Sequence, residues 1–92
     1  MLDPHMKEDS NLVTLYSKND CQQCVATKRK LTANNIPYRE FNVDESEQAA
    51  DVARGFGYLQ APVVVPDFTL AEKAGMAHWS GFRPDLLDKM KV

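Results

Sequence analysis

The chain has 92 residues, 43% hydrophobic and 26% charged, with a formal net charge of −2 at pH 7. That is one small globular domain with enough apolar side chains to bury a core, and too few residues for two domains. The balance of charge gives no footprint for nucleic acid or an anionic membrane, and apolar runs such as Val63-Val64-Val65 are far too short to span a bilayer.

Residues 1–10 read as a disordered tail. Within it, Met1-Leu2-Asp3-Pro4-His5 ahead of Met6 fits a vector-derived leader as well as a natural terminus, and His5 is given no chemistry. The polar start lacks the apolar segment of a secretory signal, which points to a reducing cytoplasm. There, cysteines are more often used than locked.

A domain is expected over 11–92. Leu12, Val13, Leu15 and Tyr16 form a short β-type run, closed by the turn-like Ser17-Lys18-Asn19-Asp20. Cys21-Gln22-Gln23-Cys24 follows, and it contains the only two cysteines. This segment opens a helical pattern to about Asn34, with Cys24, Lys28 and Leu31 on one face and Thr27 alongside. Asn34-Asn35 suits a left-handed cap, and Pro37 blocks continuation. Tyr38 to Val43 then alternates, which completes a right-handed βαβ unit with parallel strands.

Asp44 with Glu47 resembles a capping box opening a second helix through Ala49, Ala50, Val52 and Ala53, ended by Gly55 and Gly57. Val63-Val64-Val65 and the stretch Gly75 to Trp79 are expected to pair as a hairpin across a connection from Pro66 to Gly75. The cysteine end and the turn of that hairpin should lie at opposite ends of the sheet, so the connection is expected to be dispensable for the chemistry. Pro84 suits the first turn of a last helix, Asp85 to Met90. The order βαβαββα is an α/β, thioredoxin-like fold: a four-stranded mixed sheet flanked by three helices.

Two thiols spaced by two residues at a helix N-terminus are equipped to make, break and exchange a disulfide. Partial positive charge and free N–H groups there favour a thiolate. Cys21 is expected to be the exposed nucleophile and Cys24, one turn later, the resolving thiol. Lys18 and Lys28 are expected to support the thiolate, whereas Arg29 and Lys30 read as a solvated face. Half of a zinc site is the competing reading, but only His5 and His78 remain as nitrogen donors, so no metal is assigned. No Gly-rich fingerprint for a nicotinamide or flavin is present, so no cofactor is expected and electrons must arrive from another molecule.

Three segments carry a resemblance. Tyr16 to Arg29 looks like the active-site segment of the NrdH-redoxin family, Gly57-Tyr58-Leu59-Gln60-Ala61-Pro62-Val63-Val64-Val65 resembles its proline strand, and Trp79-Ser80-Gly81-Phe82-Arg83-Pro84-Asp85 is similar to its hallmark segment. The resemblance covers about residues 11 to 90, with Pro66 to Gly75 longer than the family's tight turn. It implies a glutaredoxin-like protein that behaves as a thioredoxin, taking electrons from thioredoxin reductase and reducing the large subunit of class Ib ribonucleotide reductase. It also implies a cis Pro62 that leaves the Ala61 backbone free to pair with an incoming peptide. Arg83 is implied to hydrogen-bond and order its loop.

Gln22, Gln23, Ala61, Pro62, Ser80, Gly81, Phe82 and Arg83 are the expected partner-facing residues. Gly81 permits a tight turn, Phe82 is the better contact candidate, and Trp79 divides between docking patch and core. A monomer is expected. A glutathione-dependent glutaredoxin is the nearest alternative. Such proteins carry Gly-Gly and an acidic residue where Ser80-Gly81-Phe82-Arg83 stands, and Thr-Val-Pro where Gln60-Ala61-Pro62 stands. A non-enzymatic adaptor or iron–sulfur module is the third reading.

Overall fold

In the computed structural model, which describes residues 12–91, β1 (Val13–Ser17) alternates strictly: Val13, Leu15 and Ser17 are buried, while Thr14 and Tyr16 are half-buried on the opposite face. The tail expected over residues 1–10, with His5, lies outside the described residues. A helix α1 (Gln22–Ala33) returns the chain to β2 (Tyr38–Asn42), which pairs with β1 in parallel, Val13 opposite Tyr38 and Ser17 opposite Asn42. This is the expected βαβ unit. Asn35 takes the left-handed conformation (φ 60°) that ends α1. Buried Asn34 turns inward instead, its Nδ2 donating to the Leu87 carbonyl at 3.1 Å and to Asp88 Oδ1 at 3.0 Å.

Next come α2 (Glu47–Gly55), β3 (Val63–Pro66), α3 (Phe68–Ala74), β4 (Trp79–Ser80) and α4 (Pro84–Lys89). The sheet order is β2-β1-β3-β4, with β3 antiparallel to both β1 and β4. The expected four-stranded mixed sheet of a thioredoxin-like fold is present.

Three local expectations are corrected. The cap of α2 is Ser46, whose hydroxyl accepts the Ala49 N–H at 3.1 Å; Asp44 is used elsewhere. The expected strand from Gly75 to Trp79 is only Trp79–Ser80, because Gly75 (φ 79°) serves as the left-handed cap of a helix. Finally, the described residues hold four helices rather than three, since the connection from Pro66 to Gly75 is not a loop. Asp67 caps α3 through Oδ1, which accepts the Leu70 N–H at 2.9 Å, while its Oδ2 accepts the Leu12 N–H at 3.2 Å. The helix forms because Leu70 and Ala74, one turn apart, both reach the core. Phe68, at the start of the same helix, stands 78% exposed.

Cross-strand neighbours Leu15, Val64 and Trp79 form one apolar row on the sheet. With Val13 they are covered by Leu31 of α1, Leu70 and Ala74 of α3, and Leu86 and Leu87 of α4. On the opposite face Tyr16 stacks against Phe41 at 5.8 Å and meets Phe56 at 6.3 Å, near buried Ala49 of α2. The pairing puts the C-terminal ends of β1, β2 and β4 beside the start of β3. All of them face the N-terminus of α1.

The connection therefore cannot be replaced by a two-residue turn without opening the core. Leu70→Ala is expected to lower unfolding free energy by about 2–5 kcal/mol, read from chemical denaturation. A loss below about 1 kcal/mol would mean that α3 is an appendage rather than a core element.

Candidate active site

The loop entering the site is built by polar side chains. Asp20 sits in the left-handed region (φ 54°), which reverses the chain just before the first cysteine. Asn19 is held from two directions: Asp44 Oδ2 accepts its N–H at 2.8 Å, and Asn42 Nδ2 donates to its Oδ1 at 3.0 Å. The Asp44 N–H donates in turn to Asn42 Oδ1 at 2.8 Å. The end of β2 thus fixes the chain that leaves β1.

Cys21 is the N-cap of α1, in extended conformation (φ −119°, ψ 103°), and its sulfur accepts the Cys24 N–H at 3.1 Å. The first turn of α1 contains no acidic residue, so the positive end of the helix is left uncompensated next to that sulfur. The two cysteines form a disulfide with Cα atoms 5.2 Å apart. Cys24 is 2% exposed, whereas Cys21 is half-buried. The outer sulfur is therefore the one a reactant from solution can reach.

Opposite this pair, the Ala61–Pro62 bond is cis. The Ala61 carbonyl oxygen lies 3.8 Å from Cys21 Sγ. Gly81 N–H donates to the Pro62 carbonyl at 2.9 Å, drawing the turn after β4 onto the proline loop. Gln23 completes the closure: its Oε1 accepts the Phe82 N–H at 2.8 Å, and its own carbonyl accepts from Thr27 Oγ1 at 2.8 Å. Gly81 is required here on two counts. Its φ is +86°, and a Cβ would stand 3.2 Å from Gln23 Oε1 and 3.6 Å from Gln60 Nε2.

The residues anticipated from sequence thus converge, with different tasks. Gln22, Gln60 and Lys18 are exposed around Cys21, and Ser80 and Phe82 are half-buried. Trp79 is 2% exposed and belongs to the core, so of the two aromatics only Phe82 reaches the surface beside the site. Arg83 turns to its own helix: Nε and Nη2 donate to the two Asp85 oxygens at 3.1 and 2.9 Å. Their hydrogen bonds raise the pKa of the guanidinium and lower that of the carboxyl, so each favours the charged form of the other.

Lys28 does not point an unpaired charge at the sulfurs. Its Nζ lies 3.0 Å from Glu40 Oε2. Glu40 also accepts the hydroxyl of buried Ser17 at 2.5 Å. The Ser17 hydrogen bond, with Lys28 adding to it against partial burial, holds the Glu40 carboxyl below the usual carboxylate range.

Sequence reasoning missed this Ser17–Glu40–Lys28 network, the Asn19–Asn42–Asp44 clamp, and a contact between Tyr58 and His78. The available signal was positional. Glu40 and Asn42 sit on the strand whose C-terminal end the βαβ topology places beside the cysteines.

The match to a general family model, Glutaredoxin, spans residues 13–68. Over 78 residues the chain is 40% identical to the glutaredoxin-like protein NrdH of Escherichia coli K12, covering 85% of this chain and 86% of that one. It is 35% identical to the NrdH protein of Lactococcus lactis subsp. cremoris, covering 86% and 99%. The chain belongs to the NrdH glutaredoxin-like family. The solved NrdH-redoxin from E. coli superimposes with a TM-score of 0.71 at 37% identity, over 85% of this chain and 92% of that one. That relative is described as glutaredoxin-like with a thioredoxin-like activity profile. Membership makes the cysteine pair of this NrdH-family chain a redox centre and the protein a disulfide oxidoreductase.

The Glu40 network gives a signed prediction. A carboxyl whose pKa is lowered on folding stabilises the native state above its unfolded pKa, and that stabilisation fades as the pH falls through the folded pKa. Denaturation of Glu40→Gln should show its largest deficit near neutrality and converge with the parent in acid, below both ionisations. A deficit independent of pH would mean that the carboxylate charge is not what the network uses.

Proposed function

We propose that the chain is a cytoplasmic, monomeric electron carrier that draws electrons from thioredoxin reductase and delivers them to the large subunit of class Ib ribonucleotide reductase. The reductase's two electrons, with two protons, open the Cys21–Cys24 disulfide. Cys21, as thiolate, attacks one sulfur of the substrate disulfide. A bond forms between Cys21 Sγ and that sulfur, and the other substrate sulfur leaves as a thiolate and takes up a proton. Cys24 then gives up its proton and attacks Cys21 Sγ, which regenerates the intramolecular disulfide and expels the second substrate thiol. The substrate gains two electrons and two protons in all. The helix N-terminus favours Cys21 as nucleophile and leaving group, since both roles place negative charge on that sulfur.

The observation carrying the choice of reductant is the Gln23–Phe82 hydrogen bond, 2.8 Å long. A small anionic peptide such as glutathione would need free backbone donors at the turn after β4. Here the Gly81 N–H is taken by Pro62 and the Phe82 N–H by Gln23. The Arg83 guanidinium is likewise occupied, by Asp85. A protein reductase needs only an accessible sulfur and the Ala61 edge, on which an extended segment can pair. The thioredoxin-like profile of the E. coli relative supports the same reading.

NADPH consumption in the presence of a disulfide substrate discriminates the reductants. Thioredoxin reductase is expected to support turnover, and glutathione with glutathione reductase is not. Turnover confined to the glutathione-coupled assay would overturn the proposal in favour of an ordinary glutaredoxin.

A further inference from the structure

The span between α2 and the cis proline is hung from two points. At its start Gly57 (φ 85°) turns the chain out of α2. The Tyr58 hydroxyl then lies 2.7 Å from His78 Nδ1 and 3.1 Å from the His78 carbonyl oxygen. A phenol has one proton: donating it to the carbonyl leaves the oxygen to accept from Nδ1–H, so one pair of residues supplies both bonds. The His78 ring is also packed, 4.9 Å from Phe56 and 5.5 Å edge-on from Tyr58, and Phe56 leans on Tyr16 of β1. The second point is the Pro62 carbonyl, held by Gly81 N–H. His78 and Gly81 flank the two residues of β4, so both anchors are on one short strand.

Between the anchors lie Leu59, fully exposed, and Gln60, also exposed. Half-buried Ala61 follows, with its carbonyl 3.8 Å from Cys21 Sγ. Among the described residues no backbone-to-backbone hydrogen bond is made by residues 58–61. This is the stretch beside the dithiol whose backbone remains open to an extended partner. Left to itself, such a span would have to be ordered at each encounter, and that cost would appear as weaker binding.

We propose that Tyr58 and His78 are positioning residues for protein substrates. They hold Leu59-Gln60-Ala61 in the shape that receives an extended segment around the target disulfide. The pair does not touch the sulfurs. It acts on how tightly a substrate with a backbone is held, and leaves attack by Cys21 on a small disulfide unaltered. The inference rests on the disulfide-reductase reading of Cys21 and adds to it the residues that discriminate a protein from a small disulfide.

The test uses the full chain, pre-reduced, mixed with excess insulin or with excess dithionitrobenzoate, following the loss of reduced Cys21 in a single turnover. Tyr58→Phe is expected to raise the half-saturating insulin concentration by roughly threefold or more, since its hydroxyl makes two hydrogen bonds and one lost bond alone accounts for about three- to tenfold. The limiting rate with insulin, and the rate with dithionitrobenzoate, should stay within about twofold. His78→Leu, which removes the ring bond and leaves the residue-78 carbonyl in place, should give a smaller shift in the same direction, and the double variant should not exceed Tyr58→Phe alone, because the Tyr58 hydroxyl makes both bonds. An unchanged half-saturation in Tyr58→Phe, an equal loss on both substrates, or additive effects in the double variant would overturn the inference alone. Parent protein inert toward both substrates would overturn the reductase reading and this inference with it.

Discussion

One contact organises the site: the Cys24 N–H donating to the sulfur of Cys21 at 3.1 Å. It makes the outer sulfur of the pair serve as a helix cap, a task that elsewhere falls to Ser, Thr, Asp or Asn. A cap must sit outside the helix in extended conformation, so the outer sulfur is held where β1 ends. The fourth residue of the motif must then be the first turn's inward-facing position, and Cys24 is accordingly buried. The chemical asymmetry between two identical side chains thus follows from helix geometry alone. The strand order adds the rest, since it places the start of β3, with Ala61 and Pro62, against the same helix end.

The supporting contacts can be understood as ways of fixing that cap. Asn19, Asn42 and Asp44 set the approach of the chain, and Asp20 makes the reversal. Gln23, a middle residue of the motif, reaches across to Phe82 and ties the dithiol to the turn after β4. The Lys28 charge is matched by Glu40, which leaves the helix terminus, with Lys18 beside it, as the field acting on Cys21. This assigns the work expected of Lys28 to the backbone.

Much of this was legible in the sequence because it rests on local rules. The βαβ unit follows from alternation in Val13–Ser17 and Tyr38–Asn42 around one helical face, and the cysteine spacing names the chemistry. Positive φ at Asn35 and Gly81 follows from residue type. The failures are where two local rules compete and tertiary contacts decide. Asp44 and Ser46 can each cap α2; Asp44 is drawn to Asn19, and Ser46 takes the cap. Asp67 and Gly75 bracket α3 with sound helix signals, yet a family pattern with a tight turn argues for a loop. What settles it is burial of Leu70 and Ala74, which no local window contains. Gln23 to Phe82 and Tyr58 to His78 join residues far apart in the chain, and single-sequence reasoning has no signal for such pairs.

The asymmetry of the pair requires that Cys21 be the activated sulfur because it caps α1. Brief alkylation of the reduced protein at neutral pH, with the modified residue assigned by peptide mass spectrometry, measures this directly. Cys21 is predicted to be labelled first, and faster than a free cysteine in the same buffer, while Cys24 remains protected. Faster labelling of Cys24, or a Cys21 no more reactive than the free amino acid, would contradict the account.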